Sequence, residues 1–172
     1  MSPDLARQSA AALDSDGAFS AALENFNPRP AQQSFAEHVA QLIDSGGVLV
    51  AESGTGTGKT FAYLVPALLS GRKVVISTGT RHLQDQLFFR DLPVVREVLA
   101  VTADVALLKG RANYLCLYRL KQLGQDMAFR YQKQAAQKRT ILENWAAMTS
   151  LGEIAEVGEL DEQDPIWRQV TS

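Results

Sequence analysis

Ser53-Gly54-Thr55-Gly56-Thr57-Gly58-Lys59-Thr60 is the stretch of this sequence with the clearest chemistry. Glycines at 54, 56 and 58 permit positive φ, so successive backbone N–H groups can turn inward around phosphate oxygens. A helix opening at Lys59 would aim the positive end of its dipole at the same oxygens. Lys59 adds a point charge suited to β- and γ-phosphates, and the Thr60 hydroxyl can coordinate Mg²⁺ bound between them. ATP and Mg²⁺ are therefore the expected ligands of residues 53–60, with Lys59 and Thr60 as the candidate catalytic pair. Ser53 departs from the general spacing, which has glycine five residues before Gly58; serine is small enough for the loop to form. A Gly/Thr-rich turn with a chance Gly-Lys-Thr is the bland alternative, and the flanking pattern weighs against it.

That pattern predicts the elements around the loop. Val48-Leu49-Val50-Ala51 reads as a short buried parallel strand. A helix is expected from Lys59 to about Ser70, with Pro66 inside it and a kink there, and Gly71 closes it. Lys73 to Ser77 reads as a second strand, giving one right-handed βαβ unit. Upstream, Asn27-Pro28-Arg29-Pro30 is a turn, and Phe35, Val39, Leu42 and Ile43 recur at helical spacing over Ala31 to Ile43. Downstream, Thr80 can cap a helix from Arg81 to about Phe89, and a shorter one is expected over Val94 to Leu99. Val105 to Leu108 is a candidate third strand. Tyr114 to Leu123 and Met127 to Met148 read as helices, and Gly152 to Asp164 as an acidic, solvated loop. Residues 1–24 read as a loose leader with at most one short helix. The expected fold class is α/β: a P-loop parallel sheet flanked by helices.

The 172 residues suffice for a sizeable core, and 46% hydrophobic with 21% charged residues is an ordinary globular balance. The longest apolar stretch, Phe61 to Leu69, is too short to cross a bilayer, and the N-terminus has no apolar signal core, so no membrane partner and a cytoplasmic location are expected. One cysteine, Cys116, excludes a disulfide within the chain. The net charge of -2 hides an asymmetry, with thirteen Lys/Arg against five Asp/Glu over residues 72–140 and acidic segments on either side. A basic middle can be a polyanion-binding surface or a set of solvated helix faces.

The run from Ala51 to Leu64 resembles motif I of the DinG/YoaA family of XPD-like, iron–sulfur superfamily 2 DNA helicases. Three further segments resemble the same family in the same order. Asn27 to Gln32 is similar to the element upstream of motif I, which implies that Arg29 and Gln32 contact adenine; a Gln amide offers the donor and acceptor an adenine edge needs. Without the family, both read as exposed polar residues at a helix start. Val75 to Leu87 is similar to motif Ia, which implies that Thr78, Thr80 and Arg81 contact the backbone of single-stranded or forked DNA; ordinary capping is the other reading of Thr80. Leu108 to Cys116 is similar to the entry of the family's iron–sulfur domain. It implies DNA contacts from Lys109 and Arg111, and Cys116 as first ligand of a 4Fe-4S cluster. By itself Cys116, between two leucines, reads as a small buried hydrophobe.

A 4Fe-4S cluster needs four thiolates, and this chain has one; His38 and His82 are far apart and complete no ligand set. No strand ends in a Walker B acidic pair. The resemblance thus implies an incomplete, RecA-like first motor domain over residues 25–108 and the helical start of an iron–sulfur insertion over 109–172. The implied function is a fragment of an ATP-dependent, 5′-to-3′ DNA helicase, with replication or repair proteins as partners, and the fragment alone is not expected to unwind DNA. The competing readings are another P-loop NTPase and a non-catalytic nucleotide- or DNA-binding module.

Overall fold

Small residues and one glycine shape the start of the chain. Asp4 caps α1 (Leu5–Ala12) through its side chain, which accepts from the Ala6 N–H. Ala6 and Ser9 on this helix are buried, and their size allows α1 to pack closely on α3 (Pro30–Ser45). Gly17 turns the chain into α2 (Ala18–Ala22), and a Cβ there would lie 2.2 Å from the Ala11 carbonyl oxygen. Phe19 then inserts between Phe26 and Phe61, with ring centroids 5.5 and 5.2 Å away. Residues 5–22 are therefore not the loose leader expected from their polarity. Leu13 and Phe19 are fully buried in a core shared with Ala36, Ala62, Leu64, Val65 and Val95. Alanine-rich helices look weakly patterned in sequence, yet they pack tightly because their backbones can approach closely.

This computed structural model describes residues 4–54, 56–123, 125, 133–161 and 163–171, with the backbone alone at Lys133. The chain divides into two compact units, Met1–Leu107 and Leu108–Ser172. In the first unit α3 packs on α1 and on α4 (Lys59–Leu69), and α4 packs on α6 (Leu92–Val98). Pro66 lies inside α4, fully buried. The helix expected to end near Phe89 and the shorter one expected from Val94 are instead joined, α5 (Arg81–Gln86) leading to α6 through a π-helical turn, Leu87–Asp91. Pro93 supplies the reason: it cannot donate to the Phe89 carbonyl and its ring crowds that carbonyl, so the turn widens and the Leu92 N–H bonds to the Leu87 carbonyl instead.

The expected parallel sheet is absent among the described residues. Val48–Ala51, Lys73–Ser77 and Val105–Leu108 form no strand among the described residues. Exposure alternates along the first two: Val48 and Val50 are 87% and 92% exposed, Leu49 38%, and Val75 is 91% against 38% for Ile76. That period of two is the geometry of a strand without its ladder. Runs of four or five residues gain few ladder hydrogen bonds, and isolated pairs of such strands are marginal in water.

The second unit has its own core of Leu120, Leu123, Leu142, Ile154, Val157, Ile166, Trp167 and Val170. It is built from α7 (Leu117–Leu123), α8 (Lys133–Ala146), a 3₁₀ turn (Ile154–Glu156) and α9 (Trp167–Val170). The part of the expected Met127 to Met148 helix before Lys133 lies outside the described residues. The 152–164 segment is not the solvated loop its charges suggest. Ile154 and Val157 are buried, Glu153 is buried in an ion pair with Lys109, and Asp164 accepts from Lys138 at 2.6 Å. The hydrogen bond from Lys138, with a second from the Ile166 N–H, holds the Asp164 carboxyl below its ordinary value against the effect of burial. Its folded pKa is depressed, so this contribution is present above the unfolded value and is lost as pH falls through the folded one. Lys138→Ala should therefore lower the melting temperature of this unit at pH 6 and have progressively less effect towards pH 3. The partly exposed pair limits the effect to about 1 kcal/mol or less. A difference that stays constant across that range would contradict the assignment.

Candidate nucleotide site

Gly58 sits at φ 81°, a left-handed conformation that only glycine adopts readily, and it opens α4 directly onto Lys59 and Thr60. Gly56 is left-handed as well, at φ 74°. The loop is braced from inside by its hydroxyls. Thr57 Oγ1 donates to the Gly54 carbonyl at 2.9 Å and lies 2.5 Å from Ser53 Oγ. The Lys59 ammonium folds back on the loop, donating to the Ser53 carbonyl and, at 3.1 Å, to that of Gly54. Residues 53, 54 and 56–60 are thus brought together at one helix N-terminus, and Thr55 lies outside the described residues.

Two side chains from the start of α3 reach the same loop. Arg29 Nη1 donates to the Gly56 carbonyl, and Gln32 Nε2 donates to the Gly58 carbonyl at 2.9 Å. Arg29 is exposed and Gln32 is buried. Sequence reasoning placed both residues near a nucleotide, but not their bonds to the loop.

Tyr63 was not singled out by the sequence. Burial raises its phenol above the ordinary value, a side-chain hydrogen bond with Thr60 pulls it the other way, and the Asp91 carboxylate adds to the rise. One turn of helix separates residues 60 and 63, so the signal was an i, i+3 pair on α4. Tyr63 thus lies beside Thr60, whose hydroxyl is the expected Mg²⁺ ligand.

The residues expected at DNA are distributed over both units. In the first, Thr80 caps α5, its hydroxyl accepting from the Leu83 N–H at 3.2 Å, and Thr78 Oγ1 donates to the Thr80 carbonyl at 3.2 Å. Arg81 is exposed at the first position of that helix. In the second, Arg111 is exposed on a 3₁₀ turn, Arg111–Asn113. Lys109 is instead buried, with its ammonium on Glu153 and its backbone N–H donating to the Tyr114 hydroxyl at 2.8 Å. A contact from Lys109 to DNA would require this ion pair to open. Cys116 is half-buried, its N–H donating to the Val170 carbonyl at 2.7 Å. Among the described residues no group of three or more His, Cys, Asp or Glu side chains is placed to hold a metal ion. Likewise, among those residues no helix is long and apolar enough to cross a membrane.

Residues 29–121, which run from the Arg29 contact through the loop to α7, match the DEAD/DEAH box helicase family. This chain belongs to that family. It is 46% identical over 160 residues to the ATP-dependent DNA helicase YoaA of Escherichia coli (strain K12), covering 91% of this chain and 24% of the relative. Identity to the protein of the same name from Haemophilus influenzae is 44% over 169 residues, covering 98% and 26%. The 3'-5' exonuclease DinG of Bacillus subtilis (strain 168) is 31% identical over 144 residues, covering 81% and 15%. Within the family the chain is thus of the DinG/YoaA type, and it spans about a quarter of the length of its YoaA relatives. Membership implies a RecA-like α/β fold, and ATP and Mg²⁺ as ligands are consistent with it and with the loop at residues 53–60.

Proposed function

We propose that this chain supplies the nucleotide-binding part of the first motor domain of an ATP-dependent DNA helicase. One observation carries the reading: a left-handed Gly58 opens an eleven-residue helix onto Lys59 and Thr60, downstream of the apolar run Val48–Ala51. In this role the N–H groups of residues 56–60 and the α4 dipole hold the β- and γ-phosphates. Lys59 leaves the Ser53 and Gly54 carbonyls to meet the γ-phosphate. Thr60 holds Mg²⁺, which when bound neutralises charge on the phosphate oxygens. Arg29 and Gln32 stand beside the base and loop.

Residues 25–108 belong on this reading to the motor and 109–172 to the start of an iron–sulfur insertion. The apolar runs at 48–51, 73–77 and 105–108 become strands of a parallel sheet once other segments of a longer protein lie beside them. The alternating exposure along Val48–Val50 and Val74–Ile76 supports this for the first two runs. Thr78, Thr80, Arg81 and Arg111 would grip phosphates of a single strand or fork, with Lys109 joining only if released from Glu153. Translocation from 5′ to 3′, a role in repair or replication with its protein partners, and a cytoplasmic location follow from the same family reading. The cluster is a separate matter. Cys116 is the chain's one thiol and four are needed, so the residues of this chain do not fit a 4Fe-4S centre by themselves. Cys116 is proposed as one ligand, with three thiolates supplied by other segments.

Titration of the chain with a fluorescent ATP analogue and Mg²⁺ tests the central reading. Saturable binding that unlabelled ATP displaces is expected. A folded chain that binds none of the analogue would overturn the proposal that these residues hold nucleotide.

A further inference from the structure

The Gly58 carbonyl has two donors. The Ala62 N–H reaches it at 3.2 Å as the first bond of α4, and Gln32 Nε2 reaches it at 2.9 Å. Both lone pairs are engaged, which fixes the plane of the peptide between Gly58 and Lys59. In a trans peptide the N–H points opposite to the carbonyl. Locking the Gly58 carbonyl towards Gln32 therefore turns the Lys59 N–H away from α3 and into the loop. Arg29 acts in the same way on the Gly56 carbonyl, and so on the Thr57 N–H. These are amide donors of the kind that cradle phosphate. The fit is close: a Cβ on Gly58 would lie 2.2 Å from Gln32 Nε2 and 2.7 Å from its Cδ. Gln32 is only 4% exposed, so its amide is packed against the loop.

We propose that Gln32 is a positioning residue for the phosphate loop, orienting the Lys59 N–H through the Gly58 carbonyl, so that it sets affinity for the triphosphate whatever base is attached. The inference rests on the reading of residues 53–60 as a triphosphate site and goes beyond the base contact implied for Gln32. A residue that only reads adenine discriminates ATP from GTP and has no effect on a ligand without a base. A residue that orients the loop affects all three.

The probe is Mg²⁺ tripolyphosphate, beside ATP and GTP, titrated into the wild-type chain, Lys59→Ala, Gln32→Met and Gln32→Glu. Far-UV circular dichroism checks that each variant is folded. Gln32→Met keeps the length of the side chain and removes the donor. It should weaken tripolyphosphate, ATP and GTP alike by about fivefold or more, the ratio that a hydrogen bond of about 1 kcal/mol corresponds to. Gln32→Glu supplies a second route should Gln32→Met not fold. An ionised carboxylate repels the Gly58 carbonyl, whereas the protonated acid can donate to it. Its tripolyphosphate affinity, taken as a ratio to wild type at each pH, should therefore recover as pH falls. Unchanged tripolyphosphate binding in Gln32→Met, a loss confined to ATP, or a Gln32→Glu ratio flat with pH would overturn the proposal. Wild-type and Lys59→Ala chains decide the underlying reading separately. If the folded wild type binds no tripolyphosphate, or Lys59→Ala binds it equally well, the triphosphate site itself falls and this inference with it.

Discussion

Lys59→Ala is expected to weaken Mg²⁺ATP binding by about 10- to 150-fold, while leaving the fold of the first unit intact. The magnitude follows from the loss of hydrogen bonds between an ammonium and phosphate oxygens, worth about 1.5–3 kcal/mol when one partner is charged. The fold should survive because the groups Lys59 meets in the free protein are carbonyls at a largely exposed loop, which water can satisfy once the ammonium is gone. The apolar anchors of α4 are Ala62, Leu64 and Val65, which the substitution leaves in place. Equilibrium titration and a thermal melt check the two halves. Unchanged affinity would mean that residues 53–60 do not hold phosphate, and a large drop in melting temperature would mean that Lys59 has a structural role. Lys59→Arg separates charge from shape: a guanidinium keeps the charge but is planar and bulkier, so it should restore only part of the affinity.

The phosphate loop was legible because its chemistry is local. Glycine at alternate positions, followed by Lys-Thr at the head of an apolar helical pattern, specifies backbone conformation and charge within eight residues. The bounds of α3 and α4 were legible for similar reasons, from a proline at the first and a glycine before the second. The sheet was not obtained from its strands, since pattern reports only that Val48–Ala51 and Lys73–Ser77 want an extended, half-buried environment. Whether a ladder forms depends on neighbours that periodicity cannot supply. The N-terminal helices were missed for the opposite reason. Alanine and serine carry little hydrophobic signal, and their use lies in how closely they let α1 approach α3, which shows only in three dimensions.

The site was legible as a set of residues more than as an arrangement. Arg29 and Gln32 were placed near the nucleotide by family resemblance, but nothing in their spacing from Gly56 and Gly58 states which carbonyl each would meet. Tyr63 and Glu153 were overlooked. Tyr63 reads as one more apolar position of α4, and Glu153 as one more charge in an acidic run. A single buried acid among solvated ones is visible only when its counter-ion, forty-four positions earlier in sequence, is seen beside it. The same pair changes how the basic middle of the chain is understood, because one of its lysines is a core residue.

Glu153→Ala should unfold most of the second unit. Lys109 and Glu153 have side chains 4% and 10% exposed, and the bridge between Tyr114 and Glu153 ties the same two segments together through the backbone. Removing the carboxylate takes the Glu153 partner from a buried ammonium, which costs about 3–5 kcal/mol in comparable buried pairs. At roughly 0.05–0.15 kcal/mol per residue, a unit the size of Leu108–Ser172 has about 3–10 kcal/mol in all. The loss is therefore comparable with the whole stability. Replacing both partners behaves differently, because neither charge then needs solvation: Lys109→Met with Glu153→Leu should be neutral or stabilising by about 1–4 kcal/mol. The chain's two tryptophans, Trp145 and Trp167, both lie in this unit, so their fluorescence during urea denaturation reports on it alone. Unfolding without added urea is expected for Glu153→Ala, and a midpoint at or above that of wild type for the double variant. A single variant that melts like wild type would mean that the Lys109 ammonium is satisfied without Glu153, and that the ion pair does not hold this unit together.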